Sequence, residues 1–279
     1  MSILTIRSFY NNFSKTEKKI ADFVLSKPNK IVYMSITEFA EECNVGETSI
    51  IRFCRKIGLK GYQEFKLTLA KENMGYSENI YGSDIKEGDS TSELVHKIKN
   101  NNVAAIENTV SMVNINYIEK ASDKILKSDR VEIYGVGASA FTAGDLMYKL
   151  IRLGINASTY GDNHLQLMSA ATLDNKSTAL GISYSGGTID TVSSLRTAKK
   201  SGAFTIAITN FIKSPITEFA DIVLLTSASE TPLRSGALSS KVAQLVLMDI
   251  LYTVTAVKSG NKAFSNLDKT AESVLEKLY

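Results

Sequence analysis

The chain has 279 residues, 44% hydrophobic and 22% charged, with 32 Lys+Arg against 29 Asp+Glu and two cysteines, Cys43 and Cys54. This length favours two domains, each able to bury its own core, and two cysteines exclude a disulfide framework and point to a reducing compartment. The longest apolar run, roughly Val242 to Val257, is broken by Gln244 and Asp249 and falls short of a bilayer span, and the first residues show no apolar core ahead of a small-residue cleavage site; a cytoplasmic chain with no membrane association is expected.

The charge is unevenly placed. Residues 1–77 hold 12 Lys+Arg against 8 Asp+Glu, a net +4, while the remainder holds 20 against 21. The basic excess lies wholly in the N-terminal quarter and hints at a polyanionic partner there.

The first quarter reads as short helices. Ser14 and Glu17 form a capping-box pattern that opens a helix through Leu25, stopped by Pro28. Ser35 and Glu38 repeat the pattern for a helix ending near Cys43. Asn44-Val45-Gly46 supplies a turn, a further helix runs from about Glu47 to Ile57, Gly58 ends it, and one more covers Tyr62 to Asn73. A Gly-, Ser- and Asp-rich stretch then marks a linker over residues 78–90. Beyond it, Ser90 and Glu93 open long helical stretches reaching Lys127. Five β-rich runs follow, Val131–Tyr134, Ile155–Tyr160, Thr178–Ser183, Phe204–Thr209 and Ile222–Leu225, separated by helical segments. That alternation predicts an α/β domain over residues 91–279, with a five-stranded parallel sheet and helices on both faces. A helix pair, Leu238–Lys258 and Asn261–Leu278, closes the chain.

Two short helices joined by a Gly-containing turn match a helix-turn-helix unit. On the second helix, Ile50, Phe53, Cys54 and Ile57 share one arc, whereas Thr48, Arg52 and Arg55 lie opposite, flanked by Ser49, Ile51 and Lys56. A helix apolar on one side, with hydroxyls and then arginines on the other, suits a DNA major groove. Thr48, Ser49 and Arg52 are the candidates for base readout, and Arg55, Lys56 and Lys60 for phosphate contact. An ordinary amphipathic helix in a bundle fits the same pattern. Both cysteines read as small buried residues.

Two strand-to-helix junctions carry matching chemistry. Gly135-Val-Gly137-Ala-Ser139 follows one strand, and Ser183-Tyr-Ser185-Gly186-Gly187-Thr188 follows another. Glycines admit close backbone approach, helix N-termini offer free N–H groups, and the hydroxyls of Ser139, Ser183, Ser185 and Thr188 can donate to a dianion. Gly135-x-Gly137-x-x-Ala140 with Asp162 also fits a dinucleotide fingerprint, but a single phosphate held between two loops is the more economical reading. Glu230, just past the last strand, is a candidate for sugar hydroxyls or a general base, with a solvated loop carboxylate as the alternative. No residue cluster has metal-ligand spacing and no cofactor is expected.

The run from Thr48 to Lys66 resembles the signature of the RpiR/MurR family of bacterial regulators, and the two loops resemble the phosphate loops of its SIS (sugar isomerase) domain. The resemblance implies a homodimer or homotetramer assembled through the SIS domain, an operator in double-stranded DNA, and a phosphorylated sugar effector held by Gly137, Ser139, Ser183, Ser185, Gly186 and Thr188. It sets Glu230 where SIS isomerases keep a sugar-contacting or catalytic carboxylate. Those isomerases add histidine and lysine; His164 and Lys241 are the obvious counterparts, and neither sits in a catalytic motif. A transcriptional regulator of sugar metabolism without turnover is therefore expected. The alternative is a sugar-phosphate isomerase or lyase with an N-terminal oligomerisation module.

Overall fold

The computed structural model describes residues 2–73, 85–86, 88–228, 230, 236–275 and 277. The chain divides into two compact units, residues 1–104 with 229–239, and residues 105–228 with 240–279. Most of the expected linker lies outside the described residues.

The first unit begins with six helices: α1 (Ser2–Phe9), α2 (Lys15–Ser26), α3 (Pro28–Ile31), α4 (Ile36–Glu42), α5 (Glu47–Lys56) and α6 (Tyr62–Asn73). Both capping boxes form, with Ser14 and Ser35 each accepting from the amide three residues on while Glu17 and Glu38 reach back. Pro28 does more than stop α2. It opens the one-turn α3, a position where its missing N–H has no helical acceptor to lose. The buried core brings aromatics together: Phe39 stacks with Tyr62 at 5.7 Å and with Phe65 at 6.2 Å. Phe53 meets Phe65 edge-on and Phe13 at 5.2 Å. Ile50, Phe53 and Cys54 are fully buried, as the helical arc requires.

The second unit carries a parallel sheet of β1 (Arg130–Tyr134), β2 (Ala157–Ser158), β3 (Ser177–Ile182), β4 (Phe204–Thr209) and β5 (Ile222–Leu225), in the order β2-β1-β3-β4-β5. Its helices are α7 (Thr91–Ser111, which begins in the first unit), α8 (Ile115–Lys127), α9 (Ala138–Arg152), α10 (Asn163–Ala171), α11 (Ile189–Lys200), α12 (Ser239–Ser259) and α13 (Asn261–Leu275). Val131 and Ile133 face one side, with residues of α8, α9, α12 and α13. Tyr134 and Ala179 face the other, with α10 and α11. Helices thus cover both faces, as expected for a buried parallel sheet.

Strand β2 is shorter than Ile155–Tyr160. It pairs only with β1, through Ala157 and Ser158, and the Tyr160 carbonyl is taken by the Gln166 side chain at 2.7 Å instead of by a ladder partner. The apolar run near the C-terminus forms a 21-residue helix, long and apolar enough to cross a membrane by length and composition alone. Ala243, Leu247, Met248 and Leu251 of this helix are buried, the last three against the sheet core, which accounts for its composition. α13 ends at Leu275, and residues 276, 278 and 279 lie outside the described residues.

Candidate functional site

In the first unit, helices α4 and α5 form the helix-turn-helix. Asn44 takes a left-handed conformation (φ 52°) and the Val45 amide reaches back to the Ala40 carbonyl at 2.9 Å, so the chain leaves α4 sharply. Gly58 ends α5 in the same way, with Leu59 N–H on the Cys54 carbonyl at 2.9 Å. Thr37 of α4 donates to Glu47 at the start of α5, tying the two helices side to side.

The outer face of α5 presents Thr48, Arg52 and Arg55 exposed, with Ser49 half-buried at its margin. Lys60 is exposed just beyond the C-terminus. Lys56 is differently employed. Its ammonium pairs with Glu17 at 2.7 Å, donates to the Asn12 carbonyl at 3.2 Å and sits 5.5 Å from the Phe13 ring centroid. A DNA phosphate would have to compete with that carboxylate, so Lys56 reads first as a brace between α5 and α2. Burial pushes both thiols up to about 12, which suits small core residues and not redox sensors.

In the second unit the sheet order reverses direction between β1 and β3. Loops leaving the carboxyl ends of those two strands flank a crevice, the place where open α/β sheets bind ligands. The strands pair directly, Tyr134 beside Gly181, so the two loops start about 5 Å apart. After β1, Gly137 caps α9 with φ 57° and ψ −130°, a conformation reserved for glycine. A Cβ on Gly135 would lie 2.9 Å from the Ser139 carbonyl oxygen, so that glycine permits the tight turn into α9.

After β3, Ser183 is buried and its Oγ lies 2.9 Å from Thr188 Oγ1, while Ser185 Oγ accepts from the Gly187 amide at 3.3 Å. Gly186 has φ 63°, and a Cβ there would fall 2.0 Å from Ser214 Oγ. Its role is therefore packing against the loop after β4, not clearance for a ligand. Neither Gly137 nor Thr188 caps its helix through a side chain, so the first amides of α9 and α11 are left to an outside acceptor. Two helix N-termini, with Ser139 at one and the Ser183, Ser185 and Thr188 hydroxyls at the other, thus follow neighbouring strand ends, an arrangement that suits an anion.

Asp162, the acidic residue of the dinucleotide fingerprint, caps α10 by accepting from the Leu165 amide at 2.9 Å, which leaves that fingerprint without its ribose ligand. His164 is exposed, and Lys241 Nζ sits 5.9 Å from the Phe141 ring centroid. Glu230 belongs to the first unit, where it is buried and accepts from Ser239 Oγ at 3.2 Å. Among the described residues no three metal-ligating side chains cluster.

The structure adds supports absent from the sequence reading. Gln244 of α12 donates to Ser139 Oγ at 3.3 Å and accepts from Thr142 at 3.0 Å, and Gln166 donates to the Gly135 carbonyl at 3.0 Å. Gln244 had a visible signal, a lone amide in an otherwise apolar stretch. Glu132 and Tyr134 of β1 are buried, and burial raises the pKa of both.

A helix-turn-helix joined on one chain to a doubly wound α/β unit, with glycine- and hydroxyl-bearing loops at its switch point, defines a class: the helix-turn-helix transcriptional regulator with an attached sensor-type domain. Comparison with known proteins narrows it. Residues 1–75 match the helix-turn-helix domain of the rpiR family and residues 124–254 match the SIS domain. An HTH-type transcriptional regulator of Caldanaerobacter subterraneus subsp. tengcongensis is 38% identical over 97% of this chain and 95% of its own length. The regulator RpiR of Escherichia coli K12 is 28% identical over 96% of this chain and 90% of its own. The structure of the Vibrio vulnificus NanR protein complexed with ManNAc-6P covers both chains fully, with a TM-score of 0.88 at 25% identity. The chain belongs to the RpiR family of HTH-type transcriptional regulators.

Proposed function

We propose that this regulator reads operator DNA through α5 and adjusts that binding when a phosphorylated sugar occupies the crevice between the loops after β1 and β3. Thr48, Ser49 and Arg52 would contact base edges, and Arg55 and Lys60 phosphates, with Lys56 a weaker contributor because Glu17 engages it. Ser139, Ser183, Ser185 and Thr188, with the amides after Gly137 and Thr188, would hold the phosphate. Gly186 shapes that loop. The observation that carries the reading is the pair of hydroxyl-bearing, uncapped helix starts side by side at the sheet's switch point. The NanR complex with a phosphorylated amino sugar, on a chain of the same architecture, favours the same ligand class.

Binding would occur without turnover, consistent with an exposed His164 and a Lys241 stacked on Phe141. The regulator would act in the cytoplasm, apart from membranes, as a homodimer or homotetramer joined through residues 91–279, with residues 1–77 as the reading head. A thermal-shift panel tests the ligand class: 6-phosphorylated hexoses and N-acetylhexosamines against the same sugars without phosphate. At least one phosphorylated sugar should raise Tm while its dephosphorylated form does not. Equal responses to both members of every pair would refute a phosphate site.

A further inference from the structure

The entry into the helix-turn-helix is held by donors converging on two neighbouring backbone groups. Lys66 Nζ of α6 donates to the Met34 carbonyl at 2.7 Å, and the Tyr62 hydroxyl reaches the same oxygen at 3.1 Å. One residue on, Glu38 accepts from the Ser35 amide at 2.8 Å while Ser35 Oγ accepts from the Glu38 amide at 3.1 Å. Met34 and Ser35 are the last residues before α4, so these bonds set where α4 starts. α4 in turn carries α5, through Thr37 and Glu47 and through the Val45–Ala40 bond across the turn.

Lys66 is an expensive residue for this place. It is 4% exposed, and an ammonium withdrawn from water costs stability that an apolar side chain of similar length would not. Such burial also prevents it from touching a DNA phosphate. What it provides there is orientation: a directional, charge-assisted bond to the Met34 carbonyl, with the Tyr62 ring centroid 5.7 Å away and the charge of Glu38 in its favour.

We propose that Lys66 is a positioning residue for DNA recognition, which with Tyr62 pins the Met34 carbonyl and thereby fixes α4 and the reading helix α5. This rests on α5 being the reading helix. A pH signature follows, because burial lowers the Lys66 pKa to about 8 against the opposing pull of Glu38. Glu38 of α4 acts on it, Tyr62 packs beside it with Cys43 and Cys54 nearby, and Glu64 and Glu72, on α6 itself, accept from the Lys60 and Ile3 amides. Both thiols are raised to about 12 and Tyr62 well above 10. Arg7 of α1 and Lys30 of α3 lie at the exposed surface. Between pH 7 and 9 Lys66 loses its charge while both thiols and Tyr62 stay protonated.

The test uses the full chain, a duplex selected by it from a random library, and the variants Lys66→Met, Lys66→Gln and Arg52→Ala. Lys66→Met should melt no lower than the parent, exchange the amides of residues 34–57 faster, and bind the duplex about tenfold more weakly at pH 7. Its deficit should shrink at pH 9, where the parent's ammonium is lost, and Lys66→Gln, which keeps a neutral donor, should fall between. Parent-like exchange and affinity at both pH values would overturn the proposal. So would a deficit that tracks a lowered Tm and is the same at both pH values, since that is mere support of the fold. Parent-like binding by Arg52→Ala would instead refute α5 as the reader, and the exchange data would then decide the clamp by themselves.

Discussion

Gly186→Ala isolates the geometry of the phosphate-side loop. Gly186 sits at φ 63°, where an L side chain costs about 1–2 kcal/mol. Its new methyl would lie 2.0 Å from Ser214 Oγ, 2.4 Å from Ser214 Cβ and 2.9 Å from Thr209 Oγ1, all well inside contact distance. Ser214 cannot swing aside cheaply, because it is buried and donates to the Phe211 carbonyl at 2.8 Å. Overpacking of this kind costs about 1–3 kcal/mol, so the two effects together should destabilise the α/β unit by about 2–5 kcal/mol. Urea denaturation followed by circular dichroism measures this as a lower midpoint. Gly186→Ala combined with Ser214→Gly removes the overlap with Ser214 but keeps the close Thr209 contact and the strained φ, and should recover part of the loss. A Gly186→Ala protein within about 0.5 kcal/mol of the parent, or one indifferent to Ser214→Gly, would refute the packing argument.

Arg52→Ala should weaken binding to a preferred operator by about 1–3 kcal/mol and relax selectivity at one base position, read from a binding-site library. Lys60→Ala should instead lower affinity evenly across sequences and flatten the salt dependence, and identical profiles for the two would contradict their assigned roles. The Lys66 pKa is depressed to about 8 from 10.5, so the unfolded chain binds more protons between those values. Relative to Lys66→Met, the parent should therefore gain stability as pH climbs from 8 to 10.5, by on the order of 3 kcal/mol, a difference in which the opposing linkage of the buried thiols and tyrosines, common to both proteins, cancels. Cys43 and Cys54, with thiols pushed up to about 12 by burial, should resist iodoacetamide at pH 8 in the folded protein and react on unfolding.

Where local chemistry decides the structure, residues announce it. The capping pairs at Ser14, Ser35 and Ser90 mark three helix starts because each satisfies backbone groups within four residues. Phe204–Thr209 and Ile222–Leu225 are visible strands because both faces of the sheet are buried, which demands continuous apolar runs. The two loops after β1 and β3 were legible too, since glycine and hydroxyl residues recur at two strand ends. Features decided by distant partners were not. β2 stops early because Gln166 takes the Tyr160 carbonyl, and Lys56 is diverted by Glu17, 39 residues away. Gly186 looks like a ligand-approach glycine until Ser214 is seen against it. Pro28 fits both the end of one helix and the first turn of the next, and only the described fold shows it serving both.

On the proposed function, a phosphorylated sugar held by the second loop controls operator binding. Its most direct test is titration of a selected operator duplex with the parent and with the Ser183→Ala, Ser185→Ala double variant, across a series of 6-phosphorylated sugars that includes ManNAc-6P. Hydrogen bonds to a charged group contribute about 1.5–3 kcal/mol each, so losing two hydroxyls should cost at least about tenfold in sugar affinity. One phosphorylated sugar should shift the operator affinity of the parent. The double variant should bind DNA normally without sugar and respond only at tenfold or higher sugar concentration. Identical sugar responses in the two proteins, or an operator affinity that no phosphorylated sugar alters, would contradict it.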